Sequence, residues 1–299
     1  MATYSHSVAE VRSLVTARWP HYPIDSVGPI GGGLDNMAYE VNRELIVRFS
    51  KAPDPDRLER EVRVLAALAG IAPLPVPEPA FTVAELGCMV YVKIPGTSML
   101  DLPQGDRSDH DTSIAVTLGE FLTALHEIPA ARMADLVETD LRPLTELRRQ
   151  AAATYPAVAR QIAWAHRLRV EEFLEAPPPD DGGYVPVFSH NDLSIEHVLV
   201  DPVMWTVTGI IDWSDAAIVD PAYDFGMLYR DLGPAALGAA IGSYRADTDN
   251  VAALRDRAVF YAKCSVFEDL AYGLESGRSK YLEKGLAAME WLFPVPSSR

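Results

Sequence analysis

The sequence predicts an α+β fold: a small antiparallel-sheet region over residues 1–94, then a larger, mostly helical region over residues 95–299. Three observations support that expectation. Between Asp25 and Phe49, glycine and turn residues alternate with short apolar stretches, as in a twisted hairpin. From about residue 100 onward the apolar residues repeat at helical spacing. Pro95-Gly96 punctuates the change. With 299 residues, 48% of them apolar, the chain can bury a substantial core as one large domain or two ordinary ones. A junction of this kind is expected to leave a cleft between two lobes, where ligands usually bind.

The elements follow in order. Ser7 and Glu10 have capping-box spacing ahead of Val11, Leu14 and Val15, so a short helix is expected to open the chain and end near Pro20. The stretch VGPIGGGLDNMAYEVNRELIVRF supplies strands. In RLEREVRVLAAL, Leu58, Val62, Leu65 and Leu68 fall on one helical face, and CMVYVKI reads as a further strand. Ile114, Leu118, Phe121, Leu122 and Leu125 mark a helix that carries His126. A helical stretch from Pro143 to Glu175, interrupted by Pro156, precedes the loop APPPDDGGY. VLVDPVMWTVTGIIDW reads as two short strands around a turn, and helices are expected from Pro234 onward.

Composition narrows the function. The formal charge of −16, from 42 acidic and 26 basic residues, argues against a nucleic-acid partner and suits a cationic small molecule. Cys88 and Cys264 are too few for a disulfide framework and read as core thiols. The N-terminus lacks a basic region followed by an apolar one, and no run of about 18 apolar residues occurs. The expectation is a cytoplasmic monomer that does not engage membranes.

Titratable residues concentrate in SHNDLSIEHVLVD, residues 189–201, and GIIDWSDAAIVDPAYDFG, residues 209–226. A strand, a turn at Asp201-Pro202 and a second strand separate Asp192 from Asp212. That spacing suits phosphoryl transfer, in which one carboxylate orients and deprotonates a hydroxyl while another sits on magnesium. In protein kinases an Asn five residues past the catalytic Asp supplies a further metal ligand; here His197 stands at that spacing. No Gly-flanked nucleophile turn, H-E-x-x-H or paired C-x-x-C occurs. A metal hydrolase built on His190, His197, Asp192 and Asp212 would leave the glycine loop, Arg48 and Glu61 unexplained.

His190-Asn191-Asp192 with His197, followed by Ile210-Ile211-Asp212-Trp213, resembles the paired motifs of the aminoglycoside phosphotransferase family, over nearly the whole chain. The family's fold is similar to that of eukaryotic-type protein kinases, which implies a two-lobe, protein-kinase-like architecture. His197 makes the sequence look most like the aminoglycoside 2''-phosphotransferases, with features shared by the macrolide 2'-phosphotransferases.

The resemblance implies Asp192 as the catalytic group, His197 and Asp212 as magnesium ligands, and ATP or GTP as phosphate donor. It places Gly32, Gly33 and Asn36 in the loop over the nucleotide phosphates, Arg48 on the phosphates, and Glu61 as the acid that holds Arg48. Val92 and Ile94 fall where backbone groups meet the base. His190 is read as organising its loop, and Asp220 and Asp224 as fixing loops and helix starts. The implied acceptor is a hydroxyl of a cationic antibiotic, an aminoglycoside first, with Asp231, Glu268 and Asp269 as its contacts. The apolar stretch around Asp231 would equally suit a macrolide, and another hydroxyl metabolite stays open. A nucleotide-binding pseudokinase module is the alternative of a different class. A peptide-directed kinase is disfavoured, since no A-P-E or activation segment is recognisable.

Overall fold

The structure, a computed structural model, describes residues 6–32, 35–180, 183–245 and 250–295. Its contacts separate into two compact units: Met1–Pro95 with Gly209–Ser214, and Gly96–Thr208 with Asp215–Arg299.

In the first unit, α1 (Val8–Arg18) starts at the anticipated capping box, with Ser7 Oγ accepting from the Glu10 N–H at 3.2 Å and Glu10 Oε2 accepting from the Ser7 N–H at 2.6 Å. β1 (Val27–Gly32), β2 (Asn36–Val41) and β3 (Leu45–Ser50) form an antiparallel meander. The helix α2 (Pro55–Leu68) follows, then β4 (Pro79–Val83) and β5 (Cys88–Val92), and the sheet order is β1-β2-β3-β5-β4. Side chains alternate across β3. Val47 and Phe49 pack with Val11, Val15, Tyr39 and Val90 in one core, and Arg48 takes the opposite face. On α2 the buried residues are Leu58, Glu61, Val64, Leu65 and Leu68; Val64 stands where Val62 was expected, and a carboxylate shares the apolar face.

The short segment 209–214 belongs with this unit because it is tied to it locally. The Ile210 N–H donates to Pro75 O at 2.9 Å, and a Cβ at Gly209 would lie 2.9 Å from that same oxygen. The 1–94 and 95–299 division thus differs from the observed units by this segment.

The second unit is mostly helical. After β6 (Thr97–Ser98) come α3 (Gln104–Ser108), α4 (Asp111–His126), α5 (Ala130–Met133), β7 (Glu138–Thr139), α6 (Leu144–Val158) and α7 (Trp164–Glu175). β8 (Val187–Ser189), β9 (Val198–Val200), β10 (Val207–Ile210) and β11 (Ala217–Val219) precede α8 (Ala222–Ser243), α9 (Val251–Ser276) and α10 (Ser279–Leu292). Two small sheets, β10-β9-β6 and β7-β11-β8, frame the chemistry-bearing loops. A helix begins at Pro234 as expected, but another precedes it: α8 opens at Ala222 and is broken at Gly233 (φ +81°, ψ −173°), so its label covers two helices that meet at Gly233-Pro234. The five stripe residues of α4 are all buried, and α4 and α8 approach so closely that a Cβ at Gly119 would lie 2.2 Å from Ala240 O. Both cysteines are buried, and burial pushes their thiols up to about 12. Among the described residues no helix is long and apolar enough to cross a membrane.

Candidate active site

In the first unit β3 and α2 bring Arg48 and Glu61 into direct contact through Nη2 and Oε2, and Arg48 Nη1 donates to Asp212 Oδ1 at 3.1 Å. Burial alone would lower the Arg48 pKa, but Glu61 and Asp212 outweigh it and raise it. Burial raises the Glu61 pKa against the opposing pull of the Arg48 guanidinium. Asp212 has φ +63°, a left-handed conformation that costs a non-glycine residue about 1–3 kcal/mol. It aims the carboxylate at Arg48 while 32% of the side chain stays open, and the Ser214 hydroxyl donates to it at 3.2 Å. A shallow recess beside this group is lined by Asn36, Arg48, Arg57, Glu61 and Ser214.

Gly32 pairs with Met37 across the β1–β2 turn, where a Cβ would lie 2.9 Å from Asn36 O, so the turn itself requires glycine there. Gly33 lies outside the described residues. Val92 ends β5 opposite Leu45, with 62% of its surface exposed, whereas Ile94 is buried.

In the second unit residues 190–197 form a loop gripped from below by α8. The Asp224 carboxylate accepts from the N–H groups of His190 at 3.0 Å, Asn191 at 3.3 Å and Leu193 at 3.3 Å. Two turns further along the helix, Asp231 Oδ2 accepts from the Ile195 N–H at 3.1 Å. Asn191, also left-handed at φ +63°, donates through Nδ2 to Asp215 O at 3.0 Å. Asp192 is thereby held on a fixed backbone with 38% of its side chain open. Its recess is deep enough that desolvation pushes its pKa up to about 7; His197 and Arg230 pull it down and Glu196 pushes it further up. His197 Nδ1 lies 2.8 Å from Asp192 O. A carbonyl only accepts, so Nδ1 carries the proton and the Nε2 lone pair is the one a metal would take.

Asp231 and Asp269 do not stand at a ligand-accessible surface, which corrects their reading as acceptor contacts. Arg230 Nε lies 2.7 Å from Asp231 Oδ1 and 3.0 Å from Asp269 Oδ2; Lys284 Nζ lies 3.3, 3.0 and 2.9 Å from Asp231, Asp269 and Glu196. Burial would raise the Asp231 pKa, yet Arg230 and Lys284 hold it well below the usual carboxylate range. These acids hold the loop rather than meet a substrate, and only Glu268 of the three is exposed. Asp220 is likewise committed, capping the Ala222 N–H at 2.9 Å and pairing with Arg257 at 2.6 Å. Asp224-Phe225-Gly226 spells the D-F-G triplet of protein kinases, but it is helical and buried, and its Asp binds backbone N–H groups. Lys284 escaped the sequence reading. Its signal was a lysine in register with Gly285, Ala288 and Leu292 on the buried face of α10.

Among the described residues no group of three or more His, Cys, Asp or Glu side chains could hold a metal ion. Magnesium shared with a nucleotide does not require one: it keeps several waters, takes oxygens from the phosphates and needs only one or two protein groups. A single half-open carboxylate such as Asp212 fits that demand; His197 is a softer donor than magnesium prefers.

Residues 26–259 match the phosphotransferase enzyme family abbreviated APH. The chain belongs to that family. A solved APH(2'') enzyme bound to GDP and kanamycin shares the fold with a TM-score of 0.70 and 24% identity, over 94% of this chain and 97% of that one. A type I macrolide 2'-phosphotransferase gives 0.64 and 23%, over 95% and 98%. The macrolide 2'-phosphotransferase of Brachybacterium faecium, without ligand, gives 0.61 and 24%, over 97% and 100%. Among curated proteins, 56 residues are 45% identical to the uncharacterized protein YcbJ of Bacillus subtilis, a match spanning 18% of this chain and 18% of that protein. The kinase-like architecture expected of an APH phosphotransferase, a sheet-bearing N-terminal region and a mostly helical C-terminal one, is the architecture observed.

Proposed function

We propose that the protein is a small-molecule kinase that transfers the γ-phosphate of ATP or GTP to a hydroxyl of an antibiotic or a related glycoside. The observation that carries this reading is Asp192: a carboxylate fixed by a loop clamped at Asp224 and Asp231, partly open, with its pKa pushed up to about 7. A carboxylate whose affinity for a proton is raised by its surroundings is suited to accept one from a hydroxyl.

In the reaction the acceptor oxygen forms a bond to the γ-phosphorus, and the bond from that phosphorus to the β,γ-bridging oxygen breaks. The nucleoside diphosphate leaves, and the hydroxyl proton passes to Asp192. Arg48, held by Glu61, neutralises phosphate charge, and Gly32 and Asn36 shape the turn that approaches the phosphates. Backbone groups around Val92 and Ile94 take the base. Asp212 and His197 are the residues that would hold magnesium, which when bound neutralises charge on the phosphate oxygens.

GDP and ATP complexes among the structural neighbours support a nucleotide donor, and the net charge of −16 favours a small molecule over a nucleic acid as acceptor. Incubation with magnesium and either nucleotide, against a panel of aminoglycosides and macrolides, tests the reading by mass spectrometry of the acceptor. One added phosphoryl group on a panel compound is the expected result. Nucleotide binding without consumption of nucleotide or modification of any hydroxyl compound would instead identify a binding module.

A further inference from the structure

Two residues past Asp192 in the loop stands Ser194, 1% exposed. Its N–H donates to Asp192 O at 2.8 Å, a tight turn that folds the serine back toward the carboxylate it follows. The two side chains then meet, with Ser194 Oγ 3.0 Å from Asp192 Oδ1. On its other side the same Oγ lies 2.8 Å from Nη2 of Arg230, which projects from α8.

Chemistry fixes the direction of both bonds. A guanidinium donates and never accepts, so Arg230 donates to Ser194 Oγ; an ionised carboxylate only accepts, so the single hydroxyl proton points at Asp192 Oδ1. The guanidinium is itself held, 4% exposed, with Nε 2.7 Å from Asp231 Oδ1 and 3.0 Å from Asp269 Oδ2. A hydroxyl between a charged donor and a charged acceptor makes two charge-assisted bonds, each about twice as strong as a neutral one. The consequence falls on the two oxygens of Asp192. Oδ1 is committed to Ser194. Oδ2 lies 3.4 Å from His197 Nδ1, but the proton on that nitrogen is directed at Asp192 O, 2.8 Å away. With 38% of the Asp192 side chain open, Oδ2 is the oxygen left to take a proton from a hydroxyl. A carboxylate that rotated about its Cβ–Cγ bond would present that oxygen only part of the time, and proton abstraction depends on such alignment.

We propose that Ser194 is a positioning residue: directed by Arg230, it locks the Asp192 carboxylate so that Oδ2 meets the acceptor hydroxyl and takes its proton, while the serine keeps its own. The inference rests on the kinase reading for the role of Asp192, but the lock itself can be seen without turnover. Ser194→Ala removes the hydroxyl and spares the Ile195 N–H on Asp231 and the pairs that Arg230 makes with Asp231 and Asp269, so the loop stays clamped. In that variant kcat should fall about tenfold to a hundredfold, with the KM for nucleotide within about twofold of the wild type. A crystal structure of the wild type should show Asp192 in one orientation with Oδ1 on Ser194, and one of Ser194→Ala should show more than one. Ser194→Thr, which restores a hydroxyl, should recover most of the lost rate.

Several Asp192 orientations in the wild type, a single one in Ser194→Ala, or an unchanged kcat in that variant would each overturn the proposal. So would a threonine variant that holds Asp192 in the wild-type orientation yet turns over no faster than the alanine one. An orientation fixed in the wild type and lost in Ser194→Ala, with no transfer by either protein, would uphold the lock and count against the kinase reading instead.

Discussion

Arg48 in the first unit and Arg230 in the second each gather two carboxylates, yet to different ends. Around Arg48, Glu61 is buried while Asp212 leaves 32% of its side chain open and holds a strained backbone angle. Around Arg230, and Lys284 beside it, Asp231, Asp269 and Glu196 are no more than 12% open. The open carboxylate keeps room for a ligand, whereas the closed cluster uses its charges to fix the loop whose one open acid is Asp192. Among the carboxylates of these two groups, the closed ones hold the frame, and the partly open ones, Asp192 and Asp212, mark the candidate chemistry.

The sharpest way to break that contrast is to remove a cation from the closed cluster. Lys284→Met leaves three buried carboxylates sharing Arg230, and a loss of about 3–5 kcal/mol of stability is expected in urea unfolding. A variant as stable as the wild type would show that the cluster is not a frame.

Next comes the buried imidazole of the second unit. His126 Nδ1 lies 2.8 Å from the Tyr244 hydroxyl and Nε2 3.2 Å from Ser189 Oγ, and burial lowers its pKa to about 3. The unfolded chain takes up a proton at about 6.5 and the folded one does not, so this contribution to stability is lost as pH falls from about 6.5 toward 3. A loss of about 2 kcal/mol between pH 7 and pH 5 follows. His126→Gln should flatten that dependence, and an unchanged slope would assign it to other groups.

On the open side, Arg48→Lys keeps the charge but lacks the two separate nitrogens by which the guanidinium spans Glu61 and Asp212. The KM for nucleotide should rise about tenfold with little change in unfolding midpoint, the reverse of the Lys284 pattern. Equal effects on both would dissolve the distinction. The smallest effect is expected at Ser7→Ala, where loss of the α1 cap should cost about 1 kcal/mol and leave transfer untouched.

Local patterns made much of this legible. Capping-box spacing placed α1, the stripe from Ile114 to Leu125 placed α4, and the paired motifs singled out Asp192, His197, Asp212, Arg48 and Glu61 for chemistry. Misreadings came where a residue's environment is set by distant partners. Asp231 looked like a surface acid because Lys284, 53 residues away, gives no local sign of neutralising it. Pro234 does start a helix after the break at Gly233, but the helix from Ala222 up to that break was not legible in the local pattern. The attachment of residues 209–214 to the first unit depends on a hydrogen bond to Pro75, more than a hundred residues earlier in the chain, which no short-range pattern encodes.

The most direct test is phosphoryl transfer by Asp192→Asn, followed with radiolabelled γ-phosphate on the acceptor that the wild type modifies. The substitution keeps the shape of the side chain and removes the base. The rate should fall by about 10²–10⁴-fold while nucleotide affinity and unfolding midpoint stay close to those of the wild type. Transfer at the wild-type rate would contradict the assignment of Asp192 as the group that takes the acceptor's proton.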